Sequence, residues 1–357
     1  MLEIGPRELE WLSLGAAVFG SGGGGDPLLG FQMASQAIAR TGPVQLLDLD
    51  ELSEEQLILP ICMMGATTVM VEKFGSGSEA LRLQEAIETR TGTEAAAICC
   101  LELGGLNGVV PFAWAAWAGL PVVDADLMGR AFPELQMTTA ALAGVSVSPA
   151  AMTDERGNVV TLSTTTAKWA EDLARSVCTA MGAEATICLY PMTVGTAKEA
   201  TVRNSITLAI SAGRVMLEAS DDPVRALCEH LGGLALIEGK VVDVDRRTTE
   251  GFARGSATIE GVGACTGRMA RLEFQNENTV LIEDGKVLAS VPDIITAVDL
   301  HTARPIVTEL LRYGQLVTVV GLPINELWRT PEALAVAGPR AFDYAFDYRP
   351  LEKLNAR

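Results

Sequence analysis

Residues 95–126 constrain the fold most. "AAAICCLEL" is a short apolar run, "GGLNG" a tight loop, "VVPFAWAAWAG" an apolar helical segment stopped by glycine, and "LPVVDAD" a second apolar run. Short apolar runs on either side of a helix read as buried parallel strands. Joining them requires a right-handed crossover. The same alternation continues in both directions. "VQLLDL" (44–49) and "LILPICMM" (57–64) read as strands, and "SEALRLQEAIETRTG" reads as a helix ending at Gly92. A helix is expected over 165–181 and a strand over 185–190. "AKEATVRNSITLAISAGRVMLEA" reads as one long amphipathic helix.

Near residue 232 the texture changes. "ARLEFQ", "TVLIEDGKVLAS", "IITAVDL" and "GQLVTVVG" are short β-rich runs, and Asp284-Gly285 sits where a two-residue hairpin turn is expected. Strands at this spacing suggest a barrel or a sandwich. The chain therefore divides into an α/β domain over 1–231 and a β-rich, barrel-like domain over 232–357. A chain of 357 residues fits such a pair of domains.

Composition narrows the partners. The net charge of −18 repels nucleic-acid phosphates and anionic membrane surfaces, so neither is expected as a partner. No apolar run reaches the length that spans a bilayer. Glu3, Glu8 and Glu10 stand where a signal peptide would be basic, so a cytoplasmic location is expected. The seven cysteines form no CxxC pair, and there are only two histidines, His230 and His301. That argues against a zinc cage and against most histidine-based triads. His230 reads as the last turn of a short helix and His301 as a turn residue.

Four consecutive glycines, Gly22, Gly23, Gly24 and Gly25, precede Asp26 and Pro27. Pro6 to Val18 before them reads as a helix. Asp26 is placed to cap a second helix and Pro27 to open it. A dinucleotide loop needs a strand before the glycines, and a phosphate loop needs Gly-Lys-Ser/Thr after them. Neither context is present, so no NAD or ATP is expected. Two readings remain: a turn between helices, or a loop that presents backbone amides and Asp26 to a small ligand.

Ligands of open parallel sheets bind at the carboxyl ends of the strands. Glu102, Asn107, Asp124 and Asp126 fall at two such ends, and Arg130 and Glu134 follow closely. Packed carboxylates raise one another's pKa, which suits acid–base work. They would equally hold a divalent cation through oxygen, and the plain alternative is that Asp124 caps a helix and Arg130 neutralises a neighbour. Cys265 lies among glycines near Arg268 and Arg271 without a nearby base, which favours a simple loop over a nucleophile. "QNEN" is either a turn or a means of presenting Asn276 and Glu277 to the first domain.

The ordered motifs "GSGGGGDP", "ELGGLNG", "PVVDADLMGRAFPELQM", "FQNEN", "PDII" and "PRAFDYAFDYRP" resemble the S-methyl thiohydantoin desulfurase family over nearly the whole chain. The chain has Asp343 where the pattern leads one to expect glycine. The resemblance implies a three-layer α/β domain, with a similar N-terminal part reaching to about residue 165, and an all-β barrel-like second domain; the C-terminal tail is expected to pack back on the first. It further implies hydrolysis of an S-methyl thiohydantoin to a hydantoin with release of methanethiol, on a small cyclic ureide or thioureide. Asp124 or Asp126 would be the base, and Glu134 or Glu102 the acid. The amides of Gly22–Gly25 with Asp26, Asn107, Arg130, Asn276 and Glu277 would bind the ring. A divalent metal ion would draw on Asp124, Asp126 and His301. A homo-oligomer is expected. The competing expectation is a non-catalytic subunit or partner of a hydantoinase/oxoprolinase.

Overall fold

In the computed structural model, which describes residues 2–65, 69, 73, 75, 77–249 and 252–356, the apolar runs of the N-terminal half become one mixed sheet. Its strands are β1 (Leu2–Ile4), β2 (Val44–Leu47), β3 (Leu57–Gly65), β4 (Ala95–Cys100), β5 (Val122–Asp126), β6 (Ala150–Thr153), β7 (Val159–Leu162) and β8 (Glu184–Cys188), with β9 (Met192–Thr193) and β10 (Val202–Arg203) off the main path. The order is β1-β2-β5-β4-β3-β8-β6-β7. Strands β2, β5, β4 and β3 run parallel, and β8, β6 and β7 are antiparallel additions. The β4–helix–β5 unit is present, with the helix at Val110–Ala118.

Eleven α-helices occur among the described residues. Helix α1 (Pro6–Phe19) follows Gly5 with proline in its first turn, and α2 (Pro27–Thr41) is capped by Asp26, whose Oδ1 accepts from Leu28 N at 2.9 Å. Helices α3 (Glu79–Thr91) and α4 (Val110–Ala118) end on left-handed glycines, Gly92 and Gly119. After α5 (Thr139–Leu142) and α6 (Ala167–Ala180), the expected long helix over 197–219 is broken into α7 (Val194–Ala200), β10 and α8 (Ser205–Glu218). The break has a tertiary cause: Val202 and Arg203 pair with Asp126 and Ala125 on the flank of β5, and Asn204 turns the chain at φ +60°. Helix α8 then lies directly on α1. A Cβ on Gly15 would stand 1.8 Å from Ala209 O, and one on Gly213 1.8 Å from Trp11 O, so only glycine permits this approach.

After α9 (Pro223–Leu231), the C-terminal half forms a second, antiparallel sheet. It comprises β11 (Leu234–Thr249), β12 (Phe252–Gly261), β13 (Met269–Gln275), β14 (Glu277–Glu283), β15 (Lys286–Ser290), β16 (Ile294–Asp299), β17 (Pro305–Ile306) and β18 (Leu316–Leu322), in the order β15-β14-β13-β12-β11-β18-β16-β17. Glu283 pairs with Lys286 across Asp284-Gly285, both at positive φ, which makes the two-residue turn. The expected barrel is not closed: the ladder is an open path, with β15 and β17 at its ends.

The first domain reaches into the gap between β14 and β16. Ser21 O accepts from Asn278 N at 2.7 Å, Ser21 Oγ donates to Ile295 O at 2.8 Å, and Ile295 N donates back to Ser21 Oγ at 3.1 Å. In return, Trp328 from beyond β18 donates from Nε1 to Met128 O at 2.6 Å and lies 4.7 Å from the Phe132 ring. Downstream, α10 (Pro331–Ala337) buries Ala333 and Ala337 in the core of the first sheet, and Asp343 takes φ +64°. Helix α11 (Leu351–Leu354) closes the chain. No described helix is long and apolar enough to cross a membrane.

Candidate functional site

The carboxyl ends of β3, β4 and β5 share one rim, and a pocket opens there, with its far wall supplied by the second sheet. Glu102, two residues past β4, lines it and is 7 % exposed. Its Oε1 accepts from Asn107 Nδ2 at 2.6 Å and its Oε2 from Phe132 N at 3.3 Å. Asn107 is itself fixed from both ends: Oδ1 accepts from Met63 N at 2.8 Å and Nδ2 also donates to Met63 O at 3.0 Å. The side chain thus pairs with β3 as a neighbouring strand would. Burial dominates the Glu102 carboxyl and pushes it up to about 7, against the pull of these two hydrogen bonds.

Glu277, the first residue of β14, faces the same pocket and is 4 % exposed. A Cβ on Gly23 would stand 2.1 Å from Glu277 Oε1, so the bare glycine is what lets this carboxylate lie against the loop. Its Oε2 is buried without a hydrogen-bond partner. Burial and the nearby Glu102 hold the Glu277 carboxyl well above its ordinary value. Arg130 acts on both. It is fully buried over the Phe132 ring at 4.7 Å and donates from Nη1 to Pro292 O and Asp293 O at 2.9 and 2.7 Å. Its positive charge favours the ionised form of Glu277 and of Glu102. Arg130 itself therefore joins the first domain to the second from behind the pocket wall.

The remaining predicted residues separate into two groups. Gly23, Gly24, Gly25, Glu134 and Asn276 line the pocket with Glu102, Asn107 and Glu277. Glu134 Oε2 accepts from Gln136 Nε2, and Asn276, at φ +57°, accepts from Ala253 N through Oδ1 and from Thr308 through its carbonyl. The others lie off the pocket. Gly22 packs on Asn278 and Thr308, and Asp26 is the cap of α2. Asp124 accepts from Thr207 N and Oγ1 at the start of α8. Asp126 is fully buried and gathers Leu103 N, Met128 N and Gly129 N onto Oδ2 at 2.8, 3.0 and 2.7 Å. Burial raises the Asp126 carboxyl to about 6 and moves Asp124 in the same direction. These two aspartates shape the rim from behind.

His301 sits on an exposed turn after β16, and Cys265 on a turn of the second sheet, where its Sγ accepts from Arg268 Nη1 at 3.3 Å. Among the described residues, Asp124, Asp126 and His301 included, no group of three or more His, Cys, Asp or Glu is arranged to hold a metal ion.

Sequence reasoning passed over several contributors, Cys62, Met64, Arg175 and Glu309 among them. Cys62 and Met64 line the pocket from the end of β3, and the apolar run that contains them gives no sign of a site. Arg175 stands on α6 with its Nε on Glu171, and Glu309 follows β17; both line the pocket. A parallel β3 places Cys62 and Met64 on the rim already occupied by Glu102, which is a usable signal. Arg175 and Glu309 have none, since only tertiary packing brings them in.

Two family models match the chain in tandem. One, described as S-Me-THD-like, N-terminal domain, covers residues 7–164, and the other, S-Me-THD-like, C-terminal domain, covers residues 165–351. No curated protein matches the chain. A crystal structure of a protein from Chromobacterium violaceum shares the fold, with a TM-score of 0.83 and 24% identity over 98% of this chain and 100% of that one. With both halves matched in order, the chain belongs to the S-methyl thiohydantoin desulfurase family.

Proposed function

We propose that the protein is a hydrolase-type desulfurase that converts an S-methyl thiohydantoin-like ring to a hydantoin and releases methanethiol. The observation that carries this reading is Glu102. It is a buried carboxyl held near neutrality at the rim of the parallel strands, in the pocket of a chain of this family. A carboxyl with that pKa both takes and returns a proton near pH 7.

In the step proposed, water attacks the ring carbon that carries the S-methyl group, and Glu102 accepts the proton of the water. The carbon–sulfur bond then breaks, the sulfur leaves as methanethiol with the proton returned by Glu102, the remaining hydroxyl proton passes to the ring nitrogen of the former C=N bond, and the ring carbon becomes a carbonyl. One water is consumed and no electrons change hands. Asn107 and Phe132 N orient the Glu102 carboxylate, while Asp126 holds the turn on which it stands.

The test is methanethiol release from an S-methyl thiohydantoin by the purified chain alone, followed with a thiol reagent. Glu102→Gln is expected to lower turnover by roughly 10²-fold or more, the usual worth of a general acid–base group. Unchanged turnover in Glu102→Gln removes the assignment. Release that appears only after a hydantoinase/oxoprolinase subunit is added would favour the non-catalytic partner role instead.

A further inference from the structure

The glycine loop and Glu277 leave complementary hydrogen-bonding groups open on the same wall. Gly24 O accepts from Asn107 N at 3.4 Å and Gly25 O from Leu106 N at 3.2 Å, so the carbonyls are turned toward the 105–108 turn. In a trans peptide the N–H points opposite to the C=O. The Gly25 N–H is therefore aimed away from that turn. Among the described residues, neither the Gly24 N–H nor the Gly25 N–H has a partner, although Gly25 is buried. Buried amides are ordinarily satisfied. Glu277 lines the same pocket, with its Oε1 against Gly23 and its Oε2 buried without a partner. Glu102 and Asn107 do not share this condition, because each already has partners for its side-chain atoms.

Two donors beside one acceptor match a ligand edge that carries C=O next to N–H. In a five-membered ureide the ring forces the amide to be cis, which puts both groups on one edge. We infer that the Gly24–Gly25 amides and Glu277 Oε2 form a subsite for a cis-amide edge, with the ring carbonyl on the amides and the adjoining N3–H on Glu277. This rests on the ring-substrate reading above and adds which edge is held. It also makes the site selective: a substituent on N3 removes the donor and meets the Glu277 carboxyl, whereas a substituent on N1 does neither.

The experiment is calorimetric titration of the purified full chain with hydantoin, 1-methylhydantoin and 3-methylhydantoin. Binding of 3-methylhydantoin is expected to be about 10-fold or more weaker than that of hydantoin, and 1-methylhydantoin is expected within about 3-fold, in line with loss of one hydrogen bond and the clash that replaces it. In Glu277→Ala, which removes both the acceptor and the obstacle and is checked for folding by thermal melting, the N3 discrimination is expected to shrink to under about 3-fold. The subsite is overturned if 3-methylhydantoin binds as well as hydantoin, if hydantoin does not bind, or if Glu277→Ala keeps the discrimination. Methanethiol release without N3 discrimination would sink the subsite and leave the reaction standing. Discrimination without release would do the reverse.

Discussion

Glu102 and Asp126 lie close in space yet behave differently, because their hydrogen bonds differ. Asp126 spends one oxygen on three backbone amides, which makes it a fastener of two turns. Asp126→Asn is expected to destabilise the protein by roughly 1–3 kcal/mol, read from urea denaturation, since one or more buried N–H groups lose a charged acceptor. Glu102 has fewer partners and a pocket in front of it, so its substitution is expected to act on turnover. The rate, as kcat/KM, is expected to rise with pH through about 7 as the Glu102 carboxyl ionises to serve as base. A rate flat between pH 5 and pH 9, as a rough range for the test, would contradict that role.

At the scale of elements, close backbone contacts are set by glycine. Gly15→Ala places a methyl 1.8 Å from Ala209 O, between α1 and α8. Overpacking of this kind costs about 1–3 kcal/mol, so a corresponding loss of thermal stability is expected, with the site otherwise intact. Most elements were legible in the sequence. The β4–α4–β5 unit, the caps at Asp26 and Gly92, and the Asp284-Gly285 turn follow from local chemistry, and the structure has them. The helix over 197–219 was not legible as broken, because the pairing of β10 with β5 overrides a helical pattern. The open second sheet was equally hidden: nothing in the strands announces that Ser21 sits between β14 and β16. For the site, the rim rule found Glu102 and Asn107. It could not separate carboxylates that face the pocket from Asp124 and Asp126, which face backbone amides, since alternation and turn geometry decide that residue by residue.

For the whole molecule, buried carboxyls tie stability to pH. Glu102 and Asp126 carry folded-state values of about 7 and about 6, above their ordinary 4.5 and 3.8. The folded state therefore binds more protons than the unfolded state between those limits, and stability falls as pH rises from about 4 to about 7. Full ionisation of Glu102 alone corresponds to roughly 3 kcal/mol at most. Melting temperature is expected to decline across that window, less steeply in Glu102→Gln; an equal slope in both proteins would refute the linkage. The contacts of Ser21, Arg130 and Trp328 across the two sheets further predict one cooperative unfolding transition, with tryptophan fluorescence and far-ultraviolet dichroism coinciding.

The placement of β8 has a consequence for synthesis. It lies between β3 and β6 in the first sheet, although it belongs to the half of the chain matched by the C-terminal family model. A nascent chain that has emerged only as far as residue 164 holds the strands on both sides of a missing one. It cannot complete that sheet on the ribosome until Cys188 is out, and the pocket must wait longer, until Glu277 and Glu309 follow. The two family halves therefore share one sheet, and a gene split at their boundary would part β8 from the strands on either side of it.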